Sequence, residues 1–198
     1  MLGTTAAERG REVRTKLMAA ARQLIAERGW SAVSTRNLAD RAGVAPGLVH
    51  YHFDSVQAVL RAAATSAIRD LLGGVGSALA QADTPDQALA LLLAGLDGYT
   101  GTDPTSLLFA ESYLAATRDP AMRDELTGVL DDFRRQVAQW LAEAAVSRPV
   151  ESAAALAAVL DGMMLHRALD PALTSARVLP VLRRLLQNDA TDGKGASS

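Results

Sequence analysis

Residues 34–53 read Ser34-Thr35-Arg36-Asn37-Leu38-Ala39-Asp40-Arg41-Ala42-Gly43-Val44-Ala45-Pro46-Gly47-Leu48-Val49-His50-Tyr51-His52-Phe53. Gly43 separates two short helical patterns. Without a Cβ it can adopt positive φ, so it ends one helix in a left-handed residue and lets the chain change direction at once. Ser34 is a good N-cap, and Leu38 and Ala42 recur at i, i+4 with Ala39 beside them, enough to hold a two-turn helix against a neighbour. Val44 is expected to be buried at the corner. Ala45 then leads into Pro46 at a first helical position, where the absent N–H costs nothing. The second helix carries Leu48, Val49, His50, Tyr51 and His52 before Phe53 closes it. Two helices about such a turn have the shape that sets one helix into the major groove of DNA.

On either side the pattern stays helical. Residues 11–28 carry Leu17, Ala21, Leu24 and Ile25 on one side and stop at Gly29, after which Trp30 is expected to pack beneath the two short helices. Asp54 or Ser55 caps a long helix to about residue 82, where Gly73, Gly74 and Gly76 predict a bend or break. Thr84-Pro85, Asp103-Pro104, Asp119-Pro120, Pro149 and Asp170-Pro171 open five more, ending near residues 99, 118, 145, 169 and 187. Pro180 must bend or restart the last. The fold class is therefore all-α: an N-terminal three-helix head with a helix-turn-helix, followed by a helical body. The expected organisation is a flexible tail at 1–8, a head at 9–55, a body at 56–187 and a second tail at 188–198.

The chain's 198 residues are 49% hydrophobic, enough for a core, and contain no cysteine, which excludes disulfides, thiol chemistry and cysteine-based zinc sites. The apolar runs fall short of a membrane span and the N-terminus lacks a signal-peptide segment, so a cytoplasmic protein is expected. Net charge is only −2 but unevenly spread: residues 1–61 hold nine basic and five acidic side chains, the remainder eleven and seventeen. A basic head on an acidic body suits a DNA reader, because phosphate attraction supplies most non-specific affinity; chance surface charge is the plainer alternative.

The series Gly29-Trp30, Ser34 to Leu38, Ala39-Asp40-Arg41-Ala42-Gly43-Val44 and His52-Phe53, in that order after an N-terminal helix, resembles the TetR family of transcriptional regulators. Weaker similarity extends to Arg118-Asp119-Pro120 and to Asp161-Gly162-Met163-Met164-Leu165-His166-Arg167. The resemblance implies that Ala45, Pro46, Gly47, Leu48, His50, Tyr51 and His52 meet DNA, with Gly47 allowing close approach, Leu48 touching a thymine methyl, and His50 and Tyr51 donating to bases or phosphates. Ser34, Thr35 and Arg36 would place a helix N-terminus at a phosphate. Arg9, Arg11 and Arg14 would form a basic arm. Leu38, Ala42, Val44, Val49 and Phe53 are assigned to the small core. The chain departs from the family where His50 replaces a usual tyrosine and Val56 a usual lysine; Val56 cannot donate to a phosphate.

His50 and His52, two apart on a helix, do not converge on a metal, and no metal or cofactor is expected. No catalytic arrangement is found, and an enzyme is not expected. Ala153, Ala154, Ala155, Ala157, Ala158 and Gly162, with Val178, Val181, Leu182 and Leu185, suit a homodimer through the last two helices, unless these stripes face the monomer's own core. Tyr99, Phe109, Tyr113, Phe133 and Trp140, with Met163 and the polar groups Glu111, Gln136 and His166, are candidate ligand-pocket residues; plain core is the alternative. His166, a lone histidine in an apolar helix, is expected in core or pocket. The expected function is a ligand-responsive regulator, a repressor, that binds a palindromic duplex operator as a homodimer and is released by a small-molecule effector. The alternative is a helical ligand-binding or scaffold protein that has lost specific operator binding.

Overall fold

The computed structural model describes residues 5–185. Among them lie nine α-helices and one 3-10 turn, and no strand: α1 Ala6–Arg28, a turn at Trp30–Ala32, α2 Thr35–Ala42, α3 Pro46–His52, α4 Val56–Ala80, α5 Pro85–Gly95, α6 Pro104–Ala116, α7 Pro120–Glu143, α8 Pro149–His166 and α9 Ser175–Leu185. The all-α expectation holds. Five helices open on a proline at their first position, where the ring's fixed φ is already helical.

The chain divides into two compact units, one of residues up to Leu71 together with Asp103–Val129, the other of Leu72–Thr102 with residues from Leu130 onward. The first is built on α1, whose buried Leu17, Ala20, Ala21, Leu24 and Ile25 fall at i, i+3, i+4, i+7 and i+8, one continuous helical stripe. Leu38 and Ala39 of α2, Val49 of α3, Val59, Leu60, Ala63, Ala64 and Ile68 of α4, and Leu108, Phe109, Met122 and Leu126 are buried in the same unit. Each large side chain so buried contributes about 1.5–3 kcal/mol.

Several local expectations are corrected. The start of α1 is at Ala6, not near residue 11, because Thr5 and Glu8 form a reciprocal capping box. Residues 6–8 are thus helical, and Arg9, Arg11 and Arg14 belong to α1 rather than to an arm. Helix α4 is continuous through Gly73, Gly74 and Gly76. Each interior glycine costs up to about 1 kcal/mol relative to alanine, which burial of Val75 and Leu79 offsets. Helix α9 likewise runs through Pro180 as one element. The tail expected at 188–198 lies outside the described residues.

In the second unit Val75, Leu79, Leu89, Leu93, Phe133, Val137, Leu141, Leu156, Leu160, Met163 and Leu182 form one apolar core. A buried cation organises its edge. Arg167 is 6% exposed and donates to the carbonyls of Leu173 (2.8 Å), Tyr99 (3.1 Å) and Leu96, and to Asp97 Oδ1 (2.8 Å). It thereby satisfies carbonyls of the segment that follows α5, which stops at Gly95 instead of near residue 99. Asp97 in turn accepts from Ser175 at the start of α9.

Candidate nucleic-acid interface

The turn expected at Gly43 is present in detail. Gly43 has φ 66° and ψ 37°, its N–H donates to the Asp40 carbonyl at 3.3 Å, and the Val44 N–H donates to Ala39 at 3.1 Å. These are the paired bonds of a Schellman ending, in which glycine avoids the penalty a Cβ would meet at positive φ. At the other end of α2, Ser34 and Asn37 cap each other reciprocally. Helix α3 starts on Pro46, and the Phe53 N–H closes it on the Val49 carbonyl at 2.9 Å.

This pair of helices sorts its side chains by face. Leu38, Val49 and Phe53 are buried, while Ala42 and Val44 are half-buried, so Val44 only partly fills the corner. On the other side Ser34, Arg36, Ala45, Pro46, Gly47, His50 and Tyr51 are exposed, and Thr35, Leu48 and His52 half-exposed. Tyr51 is 80% exposed, with its ring edge against His52 at a centroid distance of 5.0 Å. An aromatic side chain left this open gains nothing from burial, and a tyrosine can both donate to and stack on a polar partner. Val56, half-buried, opens α4 and offers no donor.

Residues with no periodic signature hold this surface in place. Arg14 donates to the His52 carbonyl at 3.2 Å and lies 4.1 Å above the Phe53 ring, tying α1 to the end of α3. Trp30 is half-buried and is tied to α4 and α6. Its indole N–H donates to Gln57 at 2.8 Å and its amide to Glu111 of α6 at 2.7 Å. Glu111, taken from sequence as a pocket residue, is therefore an anchor for the chain after α1. Arg41 pairs with Glu27 at 2.7 Å, and hydrogen bonding from Arg41 holds the Glu27 carboxyl below its ordinary range. Arg61 reaches Asp119 at 3.1 Å. Burial works to raise the Asp119 carboxyl, but the Met122 amide, Arg61 and the Ala121 amide outweigh it and hold it low.

The residues expected around a ligand fall into both units. Phe109 and Tyr113 are in the first, their rings 4.8 Å apart. Phe133 and Met163 are buried in the core of the second, with Trp140 packed against it. Tyr99 follows α5, half-buried. Gln136 is exposed and lies over Gly76, where a Cβ would stand 2.8 Å from its Nε2. His166 is exposed in the last turn of α8, not inside an apolar core, because the chain there turns to bury Arg167. Among the described residues no group of three His, Cys, Asp or Glu is placed to hold a metal ion, and no helix is long and apolar enough to cross a membrane.

Residues 17–63 match the family described as bacterial regulatory proteins, tetR family, and residues 83–188 match the tetracyclin repressor-like C-terminal domain. The HTH-type transcriptional regulator BetI of Burkholderia thailandensis is 30% identical over 166 residues, which covers 80% of this chain and 84% of that protein. The chain belongs to the TetR family. This TetR-family transcriptional regulator is also 32% identical over 81 residues to BetI of Brucella canis, a match spanning 41% of each protein and so less than half of that relative's length. A transcriptional regulator of Streptomyces coelicolor A3(2) shares its fold with a TM-score of 0.74 at 28% identity, covering 89% of this chain and 99% of that one. The multidrug binding protein EbrR, solved with imidazole, gives 0.70 at 29% identity over 96% and 100%. The BetI proteins and the Streptomyces coelicolor protein are named as transcriptional regulators, and EbrR as a multidrug binding protein.

Proposed function

We propose that this TetR-family regulator is a homodimeric repressor that reads a two-fold symmetric operator through α2 and α3 and is released by a small-molecule effector. The observation that carries the DNA reading is the sorting of residues 34–53, with a buried side that fixes the helices and an open side ending in Tyr51, 80% exposed. Arg36 and the α2 N-terminus supply phosphate contacts, Gly47 and Leu48 face base edges, and His50 and Tyr51 donate to bases or phosphates.

Pairing rests on α8 and α9. Val150, Leu165, Leu169 and Val181 are 67%, 40%, 88% and 63% exposed, and Ala154, Ala155 and Ala158 are exposed beside them. Small residues let two copies approach closely. Ala153, Ala157 and Leu182, by contrast, face the protomer's own core. Two paired heads read half-sites about one helical turn apart. An effector releases the operator only if it binds better to a head spacing that fails to match successive grooves. The candidate effector contacts are taken unit by unit: Phe109 and Tyr113 in the first, and Phe133, Trp140 and Met163 with Tyr99, Gln136 and His166 in the second; the relative EbrR is a multidrug binding protein solved with imidazole. Val56 favours a second reading, a ligand-binding or scaffold protein without operator affinity.

Selection of bound duplexes from a random pool by the purified protein separates the two. The first reading expects a two-fold symmetric site whose affinity falls steeply with salt. A pool that never enriches a sequence supports the second.

A further inference from the structure

Between residues 42 and 53 the chain holds no Lys, Arg, Asp or Glu. The ionisable side chains of α3 are His50, Tyr51 and His52. A phenol stays neutral around neutral pH, so any positive charge that α3 presents to a phosphate is carried by imidazole and comes and goes with pH. Val56, the first residue of the next helix, offers no donor and no charge of its own.

The two histidines are placed differently. His52 is half-buried: its ring meets the edge of Tyr51, its Cε1 lies 3.6 Å from where a Cβ on Gly10 would stand, and its carbonyl is held by Arg14. His50 is exposed, one turn after the exposed Pro46, and next to the fully buried Val49 that fixes the helix's rotation. It lies in the last turn of α3, where carbonyl ends favour a cation. The elements packed against α3 bring Arg9, Arg11 and Arg14 from α1 and Arg36, Asp40 and Arg41 from α2, with Asp54 just after α3. Of these, Arg14 is engaged with His52 and Phe53, and Arg41 with Glu27.

We propose that operator binding is coupled to proton uptake at His50, whose protonated ring pairs with a backbone phosphate. This rests on the DNA-binding reading above. The phosphodiester keeps its charge across the histidine range, so the imidazole is the partner that changes. An imidazolium N–H donating to an anionic oxygen is a charge-assisted bond, about twice as strong as its neutral counterpart, and it releases a counterion that neutral imidazole does not. Because the bound state favours the protonated ring, the affinity gain is present below the free histidine's titration and is lost as pH rises through that of the bound form. Linkage allows one proton per head, hence up to two per dimer.

The test uses the full-length dimer and a duplex that the protein itself selects from a random pool, with anisotropy titrations from pH 6 to 8 at fixed ionic strength. The wild type is expected to bind about tenfold or more tightly at pH 6 than at pH 8, with a steeper salt dependence at the lower pH. His50→Gln and His50→Arg should each lose the pH dependence, whatever their absolute affinity, and His50→Arg should keep at pH 8 the steeper salt dependence that the wild type shows only at pH 6. At an exposed position both variants fold, which helix content and thermal midpoint verify. A flat wild-type profile, or a His50→Gln protein that keeps the wild-type slope, overturns the proposal. Failure to enrich or bind any duplex at every pH instead refutes the DNA-binding reading, and this proposal with it.

Discussion

Replacing Gly43 by alanine isolates one physical contribution to the reading head. The residue sits at φ 66°, ψ 37°, where a Cβ costs an L residue about 1–2 kcal/mol. Nothing lies within 4 Å of the position that Cβ would take, so sterics add nothing and the whole loss is conformational. Gly43→Ala should therefore lower the urea midpoint by the equivalent of about 1–2 kcal/mol with an unchanged denaturant slope, measured at fixed protomer concentration. Gly43→Asn should recover part of this, since asparagine tolerates the left-handed region. Gly101→Ala is the contrasting case. Its φ is 83°, and its Cβ would stand 2.2 Å from the Ala168 backbone nitrogen, so backbone after α8 must move as well. That variant should lose clearly more stability than Gly43→Ala. A Gly43→Ala protein within about 0.5 kcal/mol of wild type, or one less stable than Gly101→Ala, would refute the reasoning.

Arg167→Met strands the Asp97 carboxylate and three carbonyls, and should cost about 3 kcal/mol in urea unfolding; a loss below 1 would mean that water replaces the guanidinium. Asp97 is held below its ordinary carboxylate range chiefly by the Ser175 hydroxyl, then by the Ser175 amide and Arg167, against desolvation. Its contribution is thus present above the unfolded carboxylate's titration and lost as pH falls through the folded value, so Ser175→Ala should flatten stability between pH 5 and 3, and an unchanged acid limb would exclude this. Val56→Lys should tighten operator binding and steepen the salt slope by about one unit per head, and an unaltered slope would mean that position 56 does not reach a phosphate. Val181→Asp places a charge on a side 63% exposed in the protomer, and should yield a monomeric mass by light scattering at micromolar concentration; a persistent dimer would move the interface elsewhere.

Local rules made much of residues 5–71 legible. The stripe in α1, the reciprocal caps at Ser34 and the left-handed Gly43 each depend on neighbours a few positions away, and the pattern contains them. The buried Leu38, Val49 and Phe53 follow from the same periodicity. Sequence places Arg14 in a basic arm because nothing in its vicinity indicates that Phe53 and the His52 carbonyl come to meet it. Glu111 and Trp30 are likewise joined across 81 residues, a separation that leaves no periodic trace. The three glycines of α4 signal a bend or a break by propensity alone, and packing of Val75 and Leu79 keeps the helix unbroken. The apolar stripe of α8 could face either a partner or its own core, and the structure splits it: Ala153 and Ala157 turn inward, Ala154, Ala155 and Ala158 outward.

The Glu111 to Trp30 bond also bears on the order in which this chain assembles while it is being made. The unit that holds α1, α2 and α3 takes in Asp103–Val129 as well, so it is discontinuous along the chain. At typical bacterial elongation of about 5–20 residues per second, the 81 residues between those partners occupy the ribosome for roughly 4–16 seconds. For that interval the emerging head has its turn and its α1 stripe but lacks α6, and the buried face that Leu108, Phe109 and Met122 will cover is open to chaperones and proteases. Truncated or stalled chains ending before residue 103 should therefore be cleared by the cell rather than accumulate as folded fragments.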